Sequence, residues 1–277
     1  MWYSFRFIDM RWILFIMFTI PAMGQYHTWG IWVGAGNYSG ELERFSFNWR
    51  PAMGIEYMYQ WHEYYALSIT TFYNEIHGSD KGAPTLWRRA RDISFFNRQF
   101  GVKTLFIIHF KTYDYHARMP EIIPFLNTGI GLFYTSPYTT VDKERIPLRP
   151  YATEGQYDPD RAVPYPYSPL QGAFVLGGGI WWRFMQRWSL RIAFQYHWAW
   201  TDYLDDVSGK YPDPGVFIRY STHPDAAMQL SYRSNDTINP FVLWDRQRGF
   251  PYEKDRFYWI QVGLYYTLYR IGCPLTF

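Results

Sequence analysis

The sequence is poor in cysteine, in net charge and in long apolar runs. Its 277 residues include one cysteine, Cys273, and carry a formal net charge of only +3. No run of lysine or arginine is long enough to suggest an arm that binds nucleic acid. After residue 24 no apolar stretch approaches the roughly 20 residues of a membrane-spanning helix, and the mean hydropathy is negative, at -0.31. These scarcities argue against a helical membrane protein and against a nucleic-acid-binding protein.

The amino end is typical of a secretory signal. Arg6 and Arg11 supply positive charge, Trp12 to Ile20 form a short apolar run, and a segment with small residues ends at Gly24. We predict that residues 1–24 are a cleaved signal peptide. An uncleaved anchor helix is the alternative, but the apolar run is too short to span a membrane.

Aromatic residues, in contrast, are abundant. They make up 22% of the chain, with 14 tryptophans and 26 tyrosines. The core of a soluble domain does not need so many amphipathic rings, whereas the interfaces of a membrane favour them. The composition therefore leaves two classes, a soluble exported protein or an outer-membrane β-barrel.

The spacing of apolar residues distinguishes these classes. Over Arg187–Thr201 every second residue is apolar and the residues between are mostly polar or small, which is the period of a β-strand. The apolar face has aromatic residues at both ends and aliphatic residues in the middle, as a lipid-facing strand does. The length fits a tilted membrane strand and exceeds the roughly five or six residues typical of soluble strands.

The same alternation recurs along the chain and predicts an all-β protein. We predict an eight-stranded antiparallel transmembrane outer-membrane β-barrel over residues 25–269, with long external loops, since bacterial single-chain barrels have an even number of strands. The eight predicted strands are 27–38, 49–61, 65–74, 95–111, 121–134, 172–184, 187–201 and 258–268.

The connections alternate between short and long. The short ones are 61–64, 111–120 and 185–187, and the long ones are 39–47, 79–94, 135–171 and 202–255. Outer-membrane barrels have short periplasmic turns and longer external loops, so both termini are predicted to be periplasmic, including the tail 270–277. A barrel of this size is filled by its own side chains. We expect a packed ionic and polar interior from the inward residues Arg50, Glu56, Lys103, Arg191 and His197.

Two sets of residues invite a chemical interpretation. Asp202, Asp205 and Asp206 could hold calcium or magnesium, but the spacing is not that of an EF-hand, and aspartates that cap backbone amides in a turn are the favoured interpretation. Ser189, His197 and Glu56 could suggest a hydrolase. However, Ser189 and His197 point inward on one strand and are roughly 26 Å apart at 3.3 Å per residue, so we predict that the protein is not an enzyme.

Cys273 is the third candidate. It lies four residues from the carboxyl end, on the predicted periplasmic tail. An unpaired cysteine in an exported protein suggests an intermolecular disulfide or a free thiol. An inert residue is the alternative. We predict that Cys273, with its neighbours Arg270, Gly272 and Pro274, contacts a partner protein.

Two short segments stand out, TEGQ at 153–156 and TDYLDDVS at 201–208. Both resemble motifs of the PorG-type outer-membrane proteins, the DUF6089 group of the Bacteroidota. The segments 30–42, 93–103 and 124–134 are also similar to that family. Of the two motifs, TDYLDDVS is the more specific. The motif residues are Thr153, Glu154, Gly155 and Gln156 in TEGQ, and Thr201, Asp202, Tyr203, Leu204, Asp205, Asp206, Val207 and Ser208 in TDYLDDVS.

This resemblance implies an outer-membrane component of the type IX protein secretion system. In that family the barrel is a partner of a periplasmic ring built from a PorK-type lipoprotein and PorN. No enzymatic activity is implied, and we expect outer-membrane lipid as a further partner but no cofactor, metal, nucleic acid or small-molecule substrate. A surface-facing adhesin or receptor that acts through the loops 135–171 and 202–255 is the alternative, and a lipid-modifying enzyme is a more distant one.

Overall fold

The protein is described by a computed structural model whose strands dominate the chain. The described residues are 26–40, 42, 48–83, 85–113, 119–141, 143–159, 167–233, 243–250 and 253–268. The predicted signal peptide 1–24 and the tail residues Arg270, Gly272, Cys273 and Pro274 lie outside them.

Nine strands and three α-helices follow one another along this part of the chain. The strands are β1 (Tyr26–Ser39), β2 (Arg50–Gln60), β3 (Tyr65–Ser79), β4 (Ser94–His109), β5 (Glu121–Val141), β6 (Glu144–Pro147), β7 (Leu170–Arg183), β8 (Trp188–Ala199) and β9 (Arg256–Leu268). The helices are α1 (Leu86–Arg91), α2 (Pro214–Tyr220) and α3 (Pro224–Ser231), with 3-10 turns at Asp80–Gly82 and Arg149–Tyr151. None of the helices described is long and apolar enough to cross a bilayer.

Eight of the strands form a closed antiparallel barrel, as predicted. Neighbouring strands pair in the order β4-β3-β2-β1-β9-β8-β7-β5, and the pairing of β4 with β5 closes the ring. The short strand β6 pairs only with the end of β5 and extends that strand as a hairpin. The largest differences from the predicted boundaries are at the ends of β5 and β3. β5 runs to Val141, well beyond residue 134 and into the predicted loop 135–171, and β3 runs from residue 65 to Ser79 and not to residue 74.

The outer face of the barrel is apolar, and this confirms the alternation predicted from the sequence. On β8, Ile192 and Phe194 face outward and are 50% and 45% exposed. Arg191, which precedes Ile192, and Gln195, which follows Phe194, are buried. Rings gather at both rims, for example Tyr57 beside Trp29 at one end and Tyr258 beside Phe194 towards the other. An apolar band between aromatic girdles is the surface of a barrel in lipid, so the fold is that of an outer-membrane β-barrel.

The half of the interior nearer the short turns is held by charge pairs. Arg191 donates to both carboxylate oxygens of Glu56, and the Tyr265 hydroxyl donates to Glu56 Oε2 at 2.9 Å. Closer to the short-turn end, Arg183 Nη1 lies 3.0 Å from Glu121 Oε2. Buried charges are tolerated when they are paired and hydrogen-bonded, so these pairs confirm an ionic interior over this half.

The other half of the interior combines the predicted polar filling with a large aromatic cluster, since Lys103, Gln99 and Gln195 are buried there among the rings. Trp32 and Trp259 stack with ring centroids 5.4 Å apart, and Phe72 lies 5.3 Å from Trp259. His197 lies between Phe257 and Trp259, at 4.5 and 4.1 Å. The apolar cluster continues past the barrel rim into the long loops through Leu204 and Val207, which are fully buried.

Candidate functional site

The two sequence motifs meet over the long-loop mouth of the barrel. Glu154 accepts hydrogen bonds from the amides of Ser208 at 2.9 Å and Gly209 at 3.1 Å. Arg248, from a third segment, donates to Glu154 Oε1 at 2.9 Å and to the carbonyl of Asp206 at 2.7 Å. The side chains of Glu154, Asp206 and Arg248 are all buried. The TEGQ and TDYLDDVS segments are therefore halves of one structure, which we call the mouth cap: residues 152–156, 201–209 and Arg248.

Further contacts within the mouth cap fix the second motif. Asp206 accepts from Thr153 Oγ1 at 2.5 Å and from the Tyr167 hydroxyl at 2.7 Å. Tyr167 also stacks on Tyr203, with centroids 4.8 Å apart and an interplanar angle of 8°. Gly155 has a backbone φ angle of 70°, a left-handed conformation that glycine adopts without strain. These contacts explain why the motif residues are polar although they are buried.

The mouth cap is attached to the barrel wall through an unusual three-residue contact. The Tyr38 hydroxyl at the end of β1 lies 2.7 Å from Asp205 Oδ2 and 2.7 Å from Asp255 Oδ1. A phenol has one proton to donate. Two full hydrogen bonds form when one of the two aspartates carries a proton and donates to the phenol oxygen. The geometry therefore favours one proton held between Asp205 and Asp255.

The environment of the aspartates supports a shared proton. Burial raises the pKa of Asp205 to about 8, although bonds from Tyr38 and the Val207 amide partly oppose the shift. Burial and the nearby negative charge of Asp205 raise the pKa of Asp255 well above its ordinary value. Burial also raises the pKa of Asp202 to about 7 and that of Asp206 to about 6. Several carboxyls of the mouth cap therefore titrate near neutral pH.

One aspartate of the second motif caps a backbone amide. Asp205 Oδ1 accepts from the Val207 amide at 2.9 Å, whereas Asp202 Oδ2 accepts from the Ser208 hydroxyl at 2.7 Å. The interpretation favoured from the sequence is therefore confirmed for Asp205 alone. Within the described ranges, no group of three or more His, Cys, Asp and Glu side chains is arranged to hold a metal ion.

The alternative hydrolase set is not assembled. Ser189 and His197 are both buried and face the barrel interior from the single strand β8. Glu56 is bound by Arg191 and Tyr265, and His197 is packed between aromatic rings. Ser189, His197 and Glu56 therefore pack in the barrel interior at separate levels along the barrel axis.

A family comparison agrees with the resemblance noted in the sequence. The profile of DUF6089, described as a domain of unknown function, matches residues 8–151, just over half of the 277 residues. The chain belongs to the DUF6089 family. The match contains the first six strands, β1 to β6, and it ends just before both motifs of the mouth cap. No curated protein matches the chain.

Several solved outer-membrane proteins are similar in fold. Ail, the attachment invasion locus protein of Yersinia pestis, is 8% identical with a TM-score of 0.41, covering 89% of this chain and 100% of its own. Neisserial surface protein A is 10% identical with a TM-score of 0.41, covering 88% and 99%. OprG from Pseudomonas aeruginosa is 11% identical with a TM-score of 0.41, covering 90% and 97%. The assignment as a barrel rests on the strand pairing of this DUF6089 protein itself.

Four residues that anchor the mouth cap lie outside the motifs and were missed by reasoning from the sequence. Tyr38 and Asp255 flank barrel strands, Arg248 belongs to a long loop, and Asn97 donates to the carbonyl of Leu204 at 2.7 Å. Tyr38 and Asp205 are 167 residues apart in the chain. Each residue alone resembles an ordinary strand end or loop residue, so only the closed barrel reveals their association.

We expect the mouth cap of this DUF6089 protein to loosen as the pH rises from 5 to 8. The folded-state pKa values of Asp202, Asp205 and Asp206 are raised, so the folded state binds more protons than the unfolded state above about pH 4. Stability present at low pH is therefore lost as the pH rises through the folded-state values, about 6 to 8. Hydrogen exchange at the Leu204 and Val207 amides, corrected for intrinsic rates, should be on the order of tenfold or more faster at pH 8 than at pH 5.

The variant Asp205→Asn provides the control for this prediction. An asparagine at this position donates to the Tyr38 oxygen without titrating, so the difference between the two pH values should shrink. Amides in the middle of β8 should show no comparable difference in either protein. Equal protection of the wild-type amides at pH 5 and pH 8 would contradict the shared proton.

Proposed function

We propose that this protein is an outer-membrane component of the type IX secretion system that contacts a periplasmic ring of the PorK and PorN type. The assignment to that system follows from the resemblance to PorG-type proteins. The observation that carries an anchoring role is the filled interior. Charge pairs and aromatic rings fill the half near the short turns, aromatic rings and buried polar groups fill the other, and Leu204 and Val207 continue the packing into the mouth cap. A barrel filled in this way acts by contact at its ends and not by conduction.

The short-turn end offers a surface suited to such a contact. Tyr64 and Met185 are 38% and 57% exposed there. The Lys111 side chain is 55% exposed beside Glu121. Aromatic and methionine side chains are enriched in protein interfaces. In the proposed orientation this end faces the periplasm, next to the tail that carries Cys273.

We expect Cys273 to form a disulfide with the ring partner. Isolated outer membranes run on gels without reductant should show a higher-mass species that collapses on reduction and is absent from Cys273→Ser. Mass spectrometry of that species identifies the partner. A wild type that runs only as a monomer under both conditions would rule out the disulfide.

A second variant tests the contact without the thiol. Met185→Asp places a carboxylate on the exposed short-turn surface and should reduce recovery of the ring subunits with the barrel. Trp244→Asp is the matched control on a long loop, where the side chain is 55% exposed. Normal recovery from Met185→Asp and Cys273→Ser together would argue against anchoring at this end.

A surface-facing adhesin or receptor remains the second proposal, and the long-loop end supports it. Trp87, Ile218 and Trp244 are 56%, 68% and 55% exposed on segments next to the mouth cap. A rigid base with exposed apolar groups is suited to binding a partner. Loss of secretion after shortening these loops, with the tail intact, would favour this function over the periplasmic one.

A further inference from the structure

A stack of rings crosses three strands on the outside of the barrel, at the long-loop end. His77, Phe96 and Tyr138 lie directly opposite one another on β3, β4 and β5. The rings of His77 and Phe96 are 4.2 Å apart at 17°, and those of Phe96 and Tyr138 are 5.5 Å apart at 19°. All three are half-buried on the outward face. They form a flat platform on the barrel wall.

Three arginines surround this platform. Arg50 lies 5.0 Å from the centroid of the Phe96 ring, and Arg98 and Arg145 lie 5.5 and 5.6 Å from that of Tyr138. Arg50 was expected inside the barrel. Its guanidinium lies over an outward ring instead, because Arg50 is the first residue of β2, where the alternation begins. We call these six residues, His77, Phe96, Tyr138, Arg50, Arg98 and Arg145, the arginine platform.

The charge of the arginine platform is mostly unbalanced. Glu75 lies opposite Arg98, with 3.4 Å between Oε2 and Nε. Arg50 and Arg145 form no salt bridge with any residue that the structure describes. The hairpin tip, residues 142–144, adds one lysine and two acidic residues. Among the described residues, one carboxylate, that of Glu75, lies within salt-bridge distance of the three guanidinium groups.

The depth of the platform places it beside lipid headgroups. On β4 the lipid-facing positions run from Phe110, which is 62% exposed just after the strand, to Phe100, which is 57% exposed. A tilted strand crosses the hydrocarbon core in about 9–11 residues, and this segment has that length. Arg98 and Phe96 are the next outward residues of β4 beyond Phe100. Their side chains therefore lie where the phosphates of one leaflet would be.

We infer that the arginine platform binds the phosphate group of a lipid in the leaflet at the long-loop end, which is the outer leaflet in the proposed orientation. A guanidinium presents a planar fork that matches phosphate oxygens in pairs. Stacking on rings holds that fork in place and reduces the freedom lost on binding. Three forks around one platform suit a headgroup with one or more phosphates. The inference rests on the barrel fold and its membrane depth, and it does not depend on the proposed role in secretion.

Native mass spectrometry of the full chain in detergent tests the inference. The probes are lipid A that carries its phosphates and the same lipid after dephosphorylation. The wild type should retain phosphorylated lipid A and retain the dephosphorylated form much less. The triple variant R50Q/R98Q/R145Q should bind the phosphorylated lipid about tenfold to 100-fold more weakly.

Matched variants and a competing anion distinguish binding of the lipid at this site from nonspecific attraction of the lipid to positive charge. R89Q/R219Q/K254Q removes the same charge from exposed positions elsewhere at the long-loop end and should leave retention unchanged. Arg145→Gln alone, on the β6 hairpin outside the barrel ring, should weaken retention even if the triple variant fails to fold. Equal loss in both triple variants, equal retention of the two lipids, or displacement by millimolar inorganic phosphate would overturn a lipid-phosphate site.

Discussion

Glu56→Leu is expected to lower the free energy of unfolding by about 3–5 kcal/mol. The side chains of Arg191 and Glu56 are 0% and 1% exposed, so the guanidinium would be left buried without its carboxylate. Tyr265 would lose the acceptor of its hydroxyl at the same time. Urea titration in lipid vesicles, followed by tryptophan fluorescence, measures the loss.

A double variant distinguishes the net contribution of the charge pair to stability from the cost of leaving one charge buried without its partner. Glu56→Leu combined with Arg191→Met removes both charges and should recover most of the lost stability, because well-packed apolar residues often replace a buried pair at little cost. Recovery should stop short of the wild type by about 1–3 kcal/mol, since the Tyr265 hydroxyl still lacks a partner. The exposed pair of Lys210 and Asp245 is the control, and Lys210→Ala should change stability by less than about 1 kcal/mol. A double variant no more stable than Glu56→Leu would contradict this account.

The barrel wall was predictable from the sequence because every strand that faces lipid needs apolar side chains at alternate positions. Ile192 and Phe194 face hydrocarbon, and their neighbours face inward, so the period of two is written directly in the sequence of β8. β4 alternates less clearly in sequence because its inward face carries Phe95, Leu105 and Ile107 as well as Lys103. Those apolar residues pack inside the barrel. Burial alternates along β4, except at Gly101, even where polarity does not.

The mouth cap was only partly predictable, because its contacts join distant segments. The sequence marked Glu154 and Asp205 as motif residues but indicated no contact between the motifs. Glu154 reaches Ser208 across 54 residues, and Arg248 reaches Glu154 across 94. Such pairings depend on how strands that are distant in the chain are brought together by closure of the ring. The end of β5 was underestimated for a related reason, since the pairing with β6 that supports it lies within the predicted loop.

Glu154→Ala is expected to open the mouth cap while leaving the barrel wall intact. Glu154 is the shared acceptor for two backbone amides and for buried Arg248, so its loss leaves all three donors without that partner. Removing one partner of a buried charge pair costs about 3–5 kcal/mol, which corresponds to roughly 100- to 4,000-fold faster exchange of the Ser208 and Gly209 amides through local opening. Amides in the middle of β8 should exchange at the wild-type rate. Glu144→Ala removes an exposed carboxylate from the same end and should change neither set.

The same variant also distinguishes the two proposed functions. If the protein acts as a periplasmic anchor, Glu154→Ala should still secrete cargo and recover the ring subunits, because the barrel and the short-turn end are unchanged. If the protein acts as a surface receptor, the loosened loops should no longer hold Trp87, Ile218 and Trp244 in their arrangement. Binding of the external partner should then fall as the Ser208 amide loses its protection from hydrogen exchange. Normal exchange at Ser208 in Glu154→Ala would instead show that the hydrogen bonds of Glu154 do not hold the mouth cap closed. Measuring exchange and secretion in the same variant therefore tests the structure of the mouth cap separately from its use.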